Sequence, residues 1–253
     1  MKKVLFISDP HCGNILGLTH PNWHISEKTI IGKTQRFIYD KYLKLIKNNM
    51  NPDLLVVAGD AIDGKGEKSG GTEQITTDRL EQAEMATELI KMINPKKVMM
   101  VYGTPYHTGK EEDYEKIIAD KLGAKITGHL WVEVDGVIFD VKHKIASSGV
   151  PHTKGTAIAK EWLWNSLWAE RKEAPKADVI LRGHVHYYYH CGDADWLAMT
   201  LPALQGYGSK FGARQCSGLV DFGLVSFEVN KGDYTWIPQI ERIGVQKAKV
   251  EKV

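Results

Sequence analysis

Three apolar runs of strand length, KVLFIS (residues 3–8), LLVVA (54–58) and VMMVY (98–102), alternate with stretches in which apolar residues recur at helical spacing. That alternation is the pattern of an α/β layer protein, because each strand must bury its faces under the helix that follows it. Phe37, Ile38, Tyr42, Leu45 and Ile46 mark the first helix, and Leu80, Ala83, Thr87, Ile90 and Ile93 the second. Asn94 and Pro95 close the second, since proline cannot continue a helix. A third helix is expected over residues 111–122.

From Leu130 the texture changes. WVEV and VIFDV flank Asp135-Gly136, a two-residue hairpin signal. A Trp-rich helix over residues 157–171 follows, then a strand at 178–181 and short β segments in YYYH, LAMTL and LVSFEV. The last nine residues, VQKAKVEKV, read as a final edge strand or a frayed tail. No repeat or linker divides the chain, which is expected to be one domain over residues 1–253. With 253 residues, 43% hydrophobic and 25% charged, it is long enough for one substantial core and unlike a disordered chain.

Net charge excludes little else. The balance of 33 basic against 31 acidic residues leaves +2, with no electrostatic signature of a duplex-DNA or membrane-surface binder. Cys12, Cys191 and Cys216 form no C-x-x-C pair and fit a reducing compartment. The N-terminal apolar run, broken by Asp9, is too short for a secretory core, and no stretch has the length of a membrane span, so the chain reads as cytoplasmic.

The ten histidines are the compositional oddity, and their placement carries the chemistry. Asp9 and His11 (D-P-H) follow the first strand, and in extended geometry would project to the same side. Asp60 and Asp63 (G-D-A-I-D) follow the second, Gly103 and His107 (G-T-P-Y-H) the third, and His184 and His186 (G-H-V-H) the strand D-V-I-L-R. Open α/β sheets place their sites at these carboxyl ends. Carboxylate oxygen with imidazole nitrogen suits Zn, Mn or Fe, and Asp60 can bridge two ions through its two oxygens. The glycines before Asp60 and His184 allow tight turns. Singly, D-x-H fits a surface turn and G-D-x-x-D a strand-ending turn with a helix-capping Asp; G-H-x-H is more specific, and the set in order more specific still.

In that order the motifs resemble the calcineurin-like metallophosphoesterase superfamily, over residues 9–186. The resemblance implies a four-layer α/β/β/α sandwich of two mixed β-sheets flanked by helices. It also implies two divalent metal ions, Mn²⁺ first, with Fe, Zn or Mg as other candidates. Carried over residue by residue, Asp9, His11 and His186 hold one ion, Asp60 bridges, and His143 and His184 hold the other. His107 matches the leaving-group acid and Asp63 the carboxylate that orients it. His152 competes with His143, which is favoured because it ends the clearer strand. Where the family has G-N-H, Thr104 follows Gly103 and the histidine is displaced by two residues, so Thr104 or a water takes the amide's place.

The reaction implied is hydrolysis of a phosphate ester by a hydroxide held between the two ions. Asp63 is followed by Gly64-Lys65 and not by the Arg-Gly of the family's protein phosphatases. A phosphodiesterase or nuclease, with a nucleotide or nucleic-acid substrate, is therefore placed first; a phage-type branch has a similar G-T-x-x-H variant. The alternatives are a phosphomonoesterase and a non-catalytic scaffold of the same fold. The loop GKGEKSGGT (residues 64–72) lacks the G-K-[ST] placement of a phosphate-binding loop and reads as a solvated flap. Trp162, Trp164 and Trp168 are expected to pack, the last two being one helical turn apart.

Overall fold

The computed structural model describes residues 1–109, 113–146, 150–207, 219–241 and 243. Four parallel strands open the molecule: β1 (Lys2–Ile7), β2 (Leu54–Val57), β3 (Val98–Val101) and β4 (Lys125–Thr127). Three helices connect them: α1 (Ile30–Lys47), α2 (Arg79–Lys91) and α4 (Tyr114–Leu122), with the single turn α3 (Pro105–Thr108) just past β3. Two late strands, β10 (Phe222–Asn230) and β11 (Asp233–Glu241), return to this sheet antiparallel and give the order β11-β10-β1-β2-β3-β4.

The second sheet has the order β5-β6-β7-β9-β8. Its strands are β5 (Leu130–Val134), β6 (Val137–Lys142), β7 (Val179–Arg182), β8 (Tyr189–Gly192) and β9 (Leu197–Thr200), and the long helix α5 (Lys154–Glu170) covers its outer face. Asp135 and Gly136 both have positive φ, 48° and 91°, as the hairpin turn between β5 and β6 requires.

The uninterrupted apolar runs follow from burial on both faces of each strand. Val4, Phe6, Val56, Phe139, Leu181 and Phe227 fill the space between the sheets. Leu5, Ile7, Leu55 and Val57 face the opposite way, onto Ile38, Tyr42, Leu89 and Ile118 of the helices. Ile180 and Ala198 of the second sheet meet Ile158 of α5. The layers are thus helix, sheet, sheet and helix, the sandwich expected. Phe6 packs between Phe139 and Phe227 at centroid distances of 5.3 and 5.5 Å, and its replacement by alanine should cost about 3–5 kcal/mol.

Two expectations need correction. Trp162 does pack, stacked on Trp196 at 4.5 Å, but Trp164 and Trp168 are 56% and 45% exposed. The missed strand β11 carries the alternation of YTWIPQIE and follows a turn at Lys231 and Gly232, both at positive φ. Its Pro238 is tolerated because β11 is an edge. The 245–253 tail and Cys216 lie outside the described residues. No described helix is long and apolar enough to cross a membrane.

Candidate metal centre

The motif residues lie just beyond the carboxyl ends of β1, β2, β3, β6 and β7. The loops after β1 and β2 run side by side, with Asp9 N–H donating to Gly59 O (3.1 Å), His11 N–H to Asp60 O (3.1 Å) and Cys12 N–H to Ala61 O (3.0 Å). The backbone there is not extended. Asp9, His11, Asp60, His184 and His186 all have positive φ, between 44° and 73°, and they are half of the ten described non-glycine residues that do. Such conformations are unfavourable for these residues and persist only where surrounding bonds hold them. Gly59, at φ 86°, turns the chain into Asp60, and a Cβ on it would lie 2.6 Å from His143 Nδ1. Gly183 needs no left-handed turn; a Cβ there would lie 3.0 Å from the same nitrogen, so close approach is its reason.

Three sets of donor atoms converge: Asp9, His11 and His186; His11, Asp60 and His107; and Asp60, His143 and His184, with each set's atoms within 4.8 Å of one another. Asp9 Oδ1 lies 3.1 Å from His186 Nε2 and 3.6 Å from His11 Nε2, while Asp60 Oδ2 lies 3.0 Å from His143 Nε2. His11 Nε2 and His186 Nε2 are themselves 3.1 Å apart. Two imidazole lone pairs that close repel unless a proton or another cation lies with them. His152, the competitor of His143, is exposed in a short 3₁₀ turn and belongs to none of these sets.

Electrostatics tell the same story. Burial alone would lower His11, but the Asp63 hydrogen bond and the nearby carboxylates of Asp9, Asp63 and Asp60 push it up to about 10. Burial opposes His143 likewise, and Asp9 and Asp60 raise it to about 9. Burial would raise Asp60; the nearby His143 charge instead brings it down to about 2, and Asp9, which burial would likewise raise, is held well below the usual carboxylate range chiefly by His186 and His143. The crevice demands positive charge, which protons supply to the protein alone.

A further shell holds these groups in place. His11 Nδ1 pairs with Asp63 Oδ1 at 2.8 Å, while Asn14 Nδ2 and Gln74 Nε2 donate to Asp63 Oδ2 at 2.9 and 2.5 Å. His107 Nδ1 meets the Asp63 carbonyl at 2.7 Å and its carboxylate only at 3.5 Å. Asp63 therefore orients His11 with its carboxylate and His107 with its backbone, where sequence reasoning assigned the carboxylate to His107. Thr104 donates to Asp60 Oδ1 from its backbone N–H at 2.6 Å, and its hydroxyl lies 3.2 and 3.3 Å from the two Asp60 oxygens. Ser8 Oγ and His184 N–H both donate to Asp9 Oδ2. Fully buried Glu115 accepts from the Ala61 and Gly103 N–H groups at 2.8 and 2.6 Å, bracing the loops after β2 and β3. Nothing local in the sequence singles out Gln74 or Glu115, which reach the site from separate segments; Asn14, in the same loop as His11, was the one within sight.

The residues fit a pair of divalent ions. Asp9 Oδ1 and His143 Nε2 are buried with no hydrogen-bond partner, an arrangement that is costly in a finished core. Asp60 stands in two of the three converging sets, as a bridging carboxylate must. Carboxylate and imidazole together suit Zn, Mn and Fe.

Residues 2–103 match the family model described as calcineurin-like phosphoesterase. The match takes in Asp9, His11, Asp60 and Asp63 and stops at Gly103, short of His107, His143, His184 and His186. No curated protein sequence matches. Among solved structures, Vps29 from Chaetomium thermophilum is 10% identical, with 96% of this chain and 100% of that one covered and a TM-score of 0.49. An archaeal phosphodiesterase is 15% identical, covering 94% and 99%, with a TM-score of 0.46. Vps29 from Entamoeba histolytica complexed with Zn²⁺ is 12% identical, covering 96% and 99%, with a TM-score of 0.45.

Proposed function

We propose that this chain, whose residues 2–103 match the calcineurin-like phosphoesterase model, is a two-metal phosphoesterase of that family that cleaves phosphodiesters, with nucleotides or nucleic acid as the substrate class. The observation that carries the reading is a pair of buried atoms 4.0 Å apart, Asp9 Oδ1 and His143 Nε2, neither of which completes a hydrogen bond, with Asp60 Oδ2 3.0 Å from the latter. In this reading Asp9, His11 and His186 hold one ion, His143 and His184 the other, and Asp60 both. Bound there, two divalent ions supply a water of lowered pKa and neutralise charge on the phosphoryl oxygens.

The chain's own residues supply the rest. Ser8 and the His184 N–H occupy Asp9 Oδ2 and leave Oδ1 for metal. Asp63 fixes the ring of His11 through Nδ1 and so aims Nε2 into the crevice. His107 donates a hydrogen bond from Nδ1–H to the Asp63 carbonyl, which leaves Nε2, 4.0 Å from Asp60 Oδ2, to carry the proton for the departing alkoxide. Cys12 and Cys191 are free thiols, consistent with a cytoplasmic setting.

Removing metal with a chelator should abolish hydrolysis of bis(p-nitrophenyl) phosphate, and Mn²⁺ should restore it; activity that survives stripping overturns the proposal. Replacing His107 with alanine should lower turnover about 10²- to 10³-fold with both ions retained. Equal loss of metal would show that its role is ligation. One observation favours a second reading, a metal-binding scaffold without turnover: Thr104 spends its hydroxyl on Asp60, where the family carries an amide ligand. Calorimetric titration of Mn²⁺ beside diester and monoester assays separates them, since the scaffold predicts one ion or none and no hydrolysis.

A further inference from the structure

On the outer face of the second sheet, beneath α5, lies a cleft of about 410 Å³, within the range that small ligands occupy. Its floor is Arg182, buried to 1% exposure, and Trp131; Trp164 and Trp168 stand one helical turn apart on its α5 wall. Arg182 is rigidly held. Its Nε donates to Glu161 at 2.8 Å and its Nη1 to Asp140 at 2.7 Å. Asp140 is bonded in turn by His129 Nε2 at 2.7 Å, and the His129 ring lies tilted against Trp131 with centroids 3.7 Å apart.

Three donors in this framework have no partner among the described residues. Trp131 Nε1 is buried and unbonded. Arg182 Nη2 makes no hydrogen bond, all its partners being taken by Nε and Nη1. Lys142, opposite Arg182 in the β6–β7 register, forms no ion pair. An unpartnered indole N–H is costly inside a protein and ordinarily finds an acceptor.

We propose that this cleft is a second binding site, for a planar nitrogen heterocycle of the nucleobase kind. The ring stacks against Trp164 and Trp168, and its carbonyl or ring-nitrogen acceptors meet Trp131 Nε1 and Arg182 Nη2. Of the carboxylates in the lining, Asp140 and Glu161 are already paired with Arg182, and Glu173, which pairs with no cation among the described residues, suits the exocyclic amino group of such a base. The exposure of Trp164 and Trp168 has the same explanation: stacking faces must stay open to be used. Strands β6 and β7, which carry Lys142 and Arg182 to the cleft, continue directly into the metal crevice, Lys142 preceding His143 and Arg182 standing two residues before His184.

Equilibrium dialysis of adenosine against the metal-loaded full chain tests this. Adenosine carries no phosphate, so its binding reads the cleft independently of any phosphoesterase activity. One adenosine per chain should bind with half-saturation below about 1 mM. Trp164→Leu and Trp168→Leu should each weaken binding roughly tenfold, with Mn²⁺ stoichiometry unchanged, and Trp168→Phe should restore most of it. Absence of saturable binding, or binding that both leucine variants retain, overturns the proposal. So does saturable choline binding without adenosine binding, or concentration-dependent self-association that only the leucine variants lose, either of which would give the tryptophans to another partner.

Discussion

Two of the buried polar clusters among the described residues are built on opposite principles. Around Arg182 the ion pairs with Asp140 and Glu161 close at 2.7 and 2.8 Å, Asn165 completes the Asp140 carboxylate, and Asp140 and Arg182 themselves lie on regular strands. At the strand-end crevice two buried ligand atoms, Asp9 Oδ1 and His143 Nε2, complete no hydrogen bond, on a backbone held left-handed at five residues. Around Arg182 the charges are satisfied by the fold, which leaves over only neighbouring donors such as the Trp131 indole N–H. Charges buried for a ligand are held apart by second contacts and left needing one.

That contrast can be broken most decisively at Asp60. Asp60→Asn should lower turnover roughly 10⁴-fold and remove the rise in melting temperature that Mn²⁺ gives the parent protein, as scanning calorimetry with and without metal would show. A variant that still gains stability from two ions would show Asp60 to be structural. Arg182→Met should have the opposite profile, costing about 3–5 kcal/mol in chemical denaturation because it strands Asp140, while the folded fraction keeps its metal stoichiometry. Gln74→Ala sharpens the comparison inside the crevice. Loss of one bond to Asp63 should loosen His11 and weaken metal binding about 10- to 100-fold with little change in folding.

The smallest effect is on acid stability. Burial by itself would raise Asp140, but the His129 hydrogen bond and the Arg182 charge hold it below its ordinary value of 3.8. Its pairing therefore stabilises the fold at every pH above that ordinary value and is lost as pH falls through the lowered one. Urea midpoints at pH 7 and pH 3 should fall further for the parent than for Asp140→Asn, and equal falls would show that the pair contributes nothing there.

Much of this was legible along the chain. The apolar runs of β1, β2 and β3, their helical spacers and the Asp135-Gly136 hairpin are local patterns, each set by burial periodicity or by the φ a turn requires. Asp9, His11, Asp60, His184 and His186 were visible because ligands at strand ends fall at fixed offsets from apolar runs. Less visible was β11, a half-exposed edge strand interrupted by Pro238. The exposure of Trp164 and Trp168 was misread, since helical spacing shows that two rings share a face without showing what covers it.

The sequence by itself determined the layers and the inventory of donors, because strand burial and strand-end loops are short-range consequences of residue order. Only the tertiary structure decided which donors meet. It brought His143, and not His152, to Asp60, turned the Asp63 carboxylate to His11, spent the Thr104 hydroxyl on Asp60, and reached across 11 and 52 residues to brace Asp63 with Gln74 and His11. Those choices are made by the docking of two sheets and the crossing of loops from different strands, and no single segment encodes the distance between its own end and another's.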